Sequence, residues 1–96
     1  MKIDLYKNGG EFKIALDGRL DTNTAPDFED FLNEKCADAS SLVIDCENLV
    51  YISSAGLRVL LFAQKKTGGA MKLINVDELI MEVLEMTGFA DIMVIE

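Results

Sequence analysis

The sequence predicts an α/β domain in which helices pack against a mixed β-sheet, in the order β-β-α-β-α-β-α-β. The first twenty residues alternate apolar and polar positions around Asn8-Gly9-Gly10, a pattern typical of an antiparallel hairpin. The later residues alternate short apolar runs with helical patterns, which indicates parallel strands joined by helices. The length of 96 residues fits a single domain, taken as residues 1–96.

The hairpin strands and the first helix follow from local patterns. Ile3 and Leu5 share one face of the first strand, and the alternation of the second strand breaks at Gly18. The helix is expected to begin at Thr24, whose hydroxyl would cap the backbone amide of Asp27.

A second pair of strand and helix occupies the middle of the chain. Leu42-Val43-Ile44 is a short apolar run typical of a strand well inside a sheet. A polar loop is expected to follow from Asp45 and to lead, through Ser53-Ser54, into a helix over residues 57–66.

The last third of the chain repeats the alternation of strand and helix. A strand is expected over residues 71–76, followed by a helix capped by Asn75 or Asp77. A short final strand is expected over residues 92–95. The apolar face of the last helix is expected to comprise Leu79, Ile80, Val83 and Leu84.

Composition excludes several classes of function. The net charge of −8 makes nucleic acid and anionic membranes unfavourable partners, and favours basic proteins. The chain has no histidine, which removes Ser-His and Cys-His catalysis and most zinc sites. Cys36 and Cys46 are too few for a disulfide framework and are expected to pack as small apolar residues. We therefore expect no enzymatic activity, no metal and no cofactor.

The distribution of apolar residues along the chain indicates where the protein resides. No signal-like segment and no apolar run of membrane-spanning length is found in the sequence, which points to the cytoplasm. The small size and high charge favour a monomer.

Two adjacent serines lie where the polar loop meets the second helix. One serine suffices to cap a helix, so Ser53-Ser54 leaves one hydroxyl spare. Ala55 and Gly56 are small, and are expected to leave the helix N-terminus open to another molecule. A helix N-terminus stabilises negative charge by about 0.3–1 kcal/mol, so a phosphoryl group on Ser54 would not unfold the domain. It would add about −1.5 to −2 charges and switch the binding of a partner.

Alternative chemistries do not fit this junction. A nucleophile elbow would require glycine in place of Ile52, and the chain has no phosphate-binding P-loop. Asp45 at a strand end is similar to the phosphorylated aspartate of receiver domains. Those domains gather several acidic residues after their first strand, whereas this chain begins with a hairpin.

The whole chain resembles the STAS domain, and in particular the stand-alone bacterial anti-sigma-factor antagonists. The segments that carry the resemblance are Gly18–Asp21, Leu49–Leu57 and Leu84–Phe89, of which the serine-glycine-leucine run is the most specific. The resemblance implies that the protein binds an anti-sigma factor that is also a serine kinase, and so frees the sigma factor. The kinase would then phosphorylate Ser54 and release the antagonist, and a phosphatase of the PP2C type would reset it.

The resemblance also implies a surface for the partner. This surface would comprise Asp21, Thr22, Ser53, Ala55, Gly56 and Arg58. The residue before the phosphorylated serine is often aspartate in the family, and Ser53 in this position is a second candidate acceptor. A different reading is a STAS adaptor subunit of a lipid-transport or stress-signalling assembly, without a phosphorylation switch.

Overall fold

A five-stranded mixed sheet with the spatial order β1-β2-β3-β4-β5 forms the frame of the protein. The computed structural model describes all 96 residues. Strand β1 pairs antiparallel with β2, and each later strand pairs parallel with the one before it. The strands are β1 (Lys2–Asn8), β2 (Glu11–Leu20), β3 (Ser41–Ile52), β4 (Met71–Ile74) and β5 (Val94–Ile95).

Three helices connect the parallel strands, so the predicted order β-β-α-β-α-β-α-β is confirmed. They are α1 (Ala25–Lys35), α2 (Ser54–Lys66) and α3 (Glu78–Met86), with a short 3₁₀ helix at Phe89–Asp91. Right-handed crossovers between successive neighbouring strands place all three helices on one face of the sheet. None of these helices combines the length and the apolar character needed to cross a lipid bilayer.

The hydrophobic core lies between the helices and the covered face of the sheet. Ile14, Ile44 and Leu73 lie on this face at paired positions of neighbouring strands and are buried, as is Phe28 of α1. Cys36 and Cys46 are both unpaired and buried in the same cluster, so their predicted role as small apolar residues is confirmed.

The polar loop predicted after Ile44 is wrong, because β3 continues for another eight residues to Ile52. Strand β2 likewise continues past Gly18 to Leu20, which pairs with Ile52. An irregularity in the register lets the strands stay paired here, and Gly18 adopts a φ of +113°, which favours glycine. The two parallel strands therefore end side by side, and they deliver the residues that follow them to the same edge of the sheet.

The two predicted helix caps have different outcomes. The Thr24 hydroxyl does not cap α1, so that prediction is wrong. It accepts a hydrogen bond from the Asp21 amide at 2.9 Å and donates one to the Arg19 carbonyl at 2.8 Å, which ties the turn together instead. Asp77 caps α3 by accepting from an amide of its first turn at 2.8 Å, so this alternative of the two predicted caps is confirmed.

Helix α3 buries a narrower face than predicted. Ile80 and Leu84 are buried in the core, and Val83 is partly buried. Leu79 is 68% exposed, so its placement on the buried face is wrong. This leaves an apolar side chain in water beside the edge where β3 ends.

Candidate docking site at the start of helix α2

The two serines have separate structural roles. Ser53 is the N-cap of α2, and its hydroxyl accepts from the Gly56 amide at 3.5 Å. The Ser53 amide donates to the Leu20 carbonyl at 2.9 Å, which anchors the junction to the end of β2. Ser54 is the first residue of α2, is exposed, and its hydroxyl makes no hydrogen bond within the protein. The spare hydroxyl of the pair is therefore that of Ser54.

Gly56 lies beneath this site and not on its surface. A Cβ atom at this position would lie 2.7 Å from Cγ and 2.8 Å from the carbonyl oxygen of Leu20, and 3.0 Å from Cγ1 of Ile52. Glycine thus lets α2 pack closely on the ends of both strands. The expectation that Gly56 leaves the helix open to a partner and contacts it is wrong, since the residue is buried.

Asp21 organises the turn that flanks the serines. Its carboxylate accepts hydrogen bonds from the amides of Asn23 at 3.0 Å and Thr24 at 3.1 Å, and pairs with the Arg19 guanidinium at 3.5 Å. Desolvation raises the pKa of Asp21, but these hydrogen bonds outweigh it and hold the pKa below its usual value. The charged carboxylate thus makes its contacts within the turn and fixes the backbone next to Ser53.

A shallow depression of about 330 Å³ lies beside the junction. Thr22 from the turn and Ala55 and Arg58 from α2 border it, so three of the predicted partner-binding residues are brought together. Glu29 of α1 borders it as well. Ala55 is half-buried and Arg58 is exposed. The depression thus offers a partner both apolar and charged contacts.

Arg58 stands one helical turn after Ser54, at the spacing that puts two side chains on the same face of a helix. Its guanidinium forms no ion pair with any acidic side chain of the protein. The free cation and the free hydroxyl therefore share one exposed surface of α2.

Two residues that the sequence analysis missed support this site. Arg19 and Tyr51 are partners across β2 and β3, and the Arg19 guanidinium lies 4.1 Å from the centre of the Tyr51 ring. This cation–π contact, together with the pair to Asp21, connects the flanking turn to the end of β3. Arg19 and Tyr51 are adjacent because β3 extends to Ile52 and pairs with the end of β2. The sequence analysis assigned residues 45–53 to a loop, and a loop predicts no such pairing.

Asp45, the other phosphorylation candidate weighed from the sequence, is held within the sheet. Its carboxylate is 14% exposed, accepts from the Asn75 side-chain amide at 3.0 Å and lies 3.5 Å from the Lys13 ammonium. No group of three or more acidic or cysteine side chains is arranged to hold a metal ion. Asp45 therefore lacks the surrounding acidic residues that a receiver domain gathers around its aspartate.

The fold and the serine junction define a class of protein. The chain matches the model of the STAS domain over residues 2–96, and it belongs to that family. It is 28% identical over 95 residues to the anti-sigma-B factor antagonist of Bacillus subtilis, with 96% of this chain and 87% of that protein covered.

Solved structures show the same fold. An anti-sigma factor antagonist from Mycobacterium paratuberculosis superposes with a TM-score of 0.87 at 22% identity, over 98% of this chain and 83% of that one. The Bacillus cell fate determinant SpoIIAA in its phosphorylated form superposes with a TM-score of 0.75 at 17% identity, over 99% and 91%. The predicted STAS fold is therefore confirmed.

Proposed function

We propose that this protein is an anti-sigma factor antagonist that binds an anti-sigma factor with serine kinase activity and is released when that kinase phosphorylates Ser54. The exposed Ser54 hydroxyl, which has no hydrogen bond while Ser53 supplies the helix cap, is the observation that carries the proposal. Membership of the STAS family and the name of the Bacillus subtilis relative support it. A PP2C-type phosphatase would restore the unmodified form.

The docking surface comprises the exposed parts of the junction. Ser53, Ser54, Ala55 and Arg58 contribute the start of α2, and Thr22 contributes the flanking turn that Asp21 shapes. We expect Arg58 to face an acidic group of the partner, because no acidic side chain of its own protein pairs with it. Gly56 contributes indirectly, by letting α2 approach the strand ends.

The switch would act through local charge. A phosphoryl group adds about −1.5 to −2 charges to a surface that the partner must desolvate on docking. The start of a helix accepts that charge without loss of stability, because the free amides and the dipole of the helix favour it. Phosphorylation would therefore weaken binding and leave the fold intact.

The test is intact-mass spectrometry combined with binding measurements. Incubation with the anti-sigma kinase and ATP should add one phosphate to the wild type and none to Ser54→Ala, while Ser53→Ala should still be modified. Ser54→Asp should bind the kinase more weakly, with a melting temperature close to that of the wild type. If the phosphate persists in Ser54→Ala, Ser53 becomes the candidate for the phosphorylated residue.

Protein purified from its native cells distinguishes the phosphorylation switch from the alternative of a STAS adaptor subunit. If the protein purified from its native cells carries no phosphate under any growth or stress condition, and copurifies constantly with one large assembly, the switch is refuted. Binding of Ser54→Asp to the kinase with wild-type affinity would also refute it.

A further inference from the structure

An exposed apolar groove lies between the end of β3 and helix α3. Its volume is about 280 Å³, and seven of its eight bordering residues are hydrophobic. Exposed apolar patches of this kind mark surfaces that bind other molecules. Four large apolar side chains on its border are exposed to solvent: Val50 (62%), Tyr51 (41%), Leu79 (68%) and Met86 (81%).

These side chains are not required for the hydrophobic core. Helix α3 already packs on the core through Ile80 and Leu84, which are buried. Leu79, Val83 and Met86 follow at intervals of four and three residues and form a second apolar stripe on the neighbouring face. A helix of a small acidic protein thus keeps apolar side chains in water.

The groove lies next to the candidate docking site along the chain. Ile52 borders the groove and directly precedes the cap residue Ser53. Tyr51 borders it too, and its ring contacts Arg19 of the turn that holds Asp21. A molecule that docks over the start of α2 would therefore lie close to residues that border the groove.

The charge around the groove restricts its occupant. Helix α3 carries Glu78, Glu82 and Glu85 and has no lysine or arginine, and Glu82 borders the groove itself. A second copy of this chain, with its net charge of −8, would meet repulsion there. Apolar contact flanked by basic residues is the complementary surface.

We propose that this groove, bordered by Val50, Tyr51, Leu79 and Met86, is a second part of the docking surface and binds an apolar segment of the anti-sigma factor flanked by lysine or arginine. This inference rests on the proposed function and adds to it that two parts of the docking surface have different roles. The groove supplies affinity that does not depend on phosphorylation, and the Ser54 surface supplies the switch.

The test measures binding to the purified anti-sigma kinase by isothermal titration calorimetry. The double variant Leu79→Ser/Met86→Gln should lower affinity about tenfold or more, as loss of buried apolar contacts does at interfaces. Val50→Thr should weaken binding, whereas its matched control Val94→Thr, on the 53%-exposed residue of the edge strand β5, should not. Circular dichroism melting checks that each variant is folded.

A charge-reversal pair gives an independent measurement. Glu82→Lys borders the groove, and Glu34→Lys lies on the exposed surface of α1 and makes the same change in net charge. We expect Glu82→Lys to weaken binding by a clearly larger factor than Glu34→Lys, because only the former introduces repulsion toward a basic segment.

The outcomes separate this proposal from the proposed function. If the wild type binds the kinase and Ser54→Asp weakens binding, but the groove variants bind like the wild type, the groove proposal is overturned and the proposed function remains. If the groove variants alter only self-association in sedimentation experiments, a second copy is the occupant and the proposal is also overturned. If the wild type binds no anti-sigma factor of its own organism, both fail.

Discussion

The substitution Gly56→Ala tests whether close approach of α2 to the strand ends positions the serine junction. Alanine favours a helix over glycine by about 1 kcal/mol, so in open space this change would stabilise the protein. Here the new Cβ would lie 2.8 Å from the Leu20 carbonyl oxygen, a backbone atom that cannot rotate away, and 2.7 Å from Leu20 Cγ. Overpacking costs about 1–3 kcal/mol, and contacts this short with backbone belong at the upper end.

We therefore expect Gly56→Ala to lower the free energy of unfolding by about 2 kcal/mol after the gain in helix propensity is included. For a domain of this size that corresponds to a fall in melting temperature of about 8 °C or more. The measurement is urea unfolding followed by circular dichroism. The rate of Ser54 phosphorylation should fall as well, because displacement of α2 moves the Ser53–Ser54 junction.

Ala55→Gly is the matched control, since it changes helix propensity at the neighbouring half-buried position in the opposite direction. It should cost about 1 kcal/mol through propensity. If Gly56→Ala proves as stable as the wild type, or more stable, propensity alone governs both positions and the argument from close approach is refuted.

Three further predictions concern the N-cap of α2, the partly buried carboxylate of Asp45 and the buried thiol of Cys46. Ser53→Ala should lower the free energy of unfolding by about 1 kcal/mol through loss of the cap, whereas Ser54→Ala should change it by less than about 0.5 kcal/mol; equal urea midpoints would contradict this. Burial raises the pKa of Asp45, but the hydrogen bonds, led by that from Asn75, outweigh it and leave the pKa below its usual value. The resulting stabilisation is present above the unfolded-state pKa, about 3.9, and is lost as the pH falls through the folded value. Asp45→Asn should thus be less stable than wild type at pH 7, with a difference that narrows toward pH 3; a constant difference would refute this. Burial raises the pKa of Cys46 to about 12, so a thiol reagent at pH 8 should react with it only after unfolding, and rapid labelling of the native protein would contradict the structure.

The order of strands and helices is predictable from the sequence because its periodic patterns are local. Apolar positions two apart in the hairpin, and three or four apart in the helices, depend only on which face is buried. The length of β3 is not predictable in this way. The register shifts between Ala15 and Asp17 and again between Gly18 and Arg19, and each shift adds one extra residue that interrupts the alternation on β3. With these interruptions, a stretch containing Glu47 and Asn48 has the polar pattern of a loop.

The candidate site is predictable from the sequence only where it depends on residues that are neighbours in the chain. Two serines before a helix predict one cap and one spare hydroxyl, and the structure assigns these roles to Ser53 and Ser54. The burial of Gly56 depends on Leu20, which is 36 positions earlier in the chain, and no pattern within the helix reports it. The groove on α3 was missed for the same reason, because an apolar residue such as Leu79 gives the same sequence signal in the core and on a docking surface.

The position of Arg58 bears on how the proposed phosphorylation of Ser54 would act on a protein that is already acidic. A phosphoryl group changes the net charge only from −8 to about −10, which is a small fractional change in the total field. Around the depression beside Ser54, however, Arg58 is the one basic residue and Glu29 the one acidic residue, so the local charge is balanced before modification. Charges farther away than about 10 Å are largely screened at 0.1 M salt. Under the proposed function, phosphorylation of Ser54 would therefore add negative charge next to a depression whose own bordering charges are balanced, and the partner would respond to this local change more than to the change in net charge.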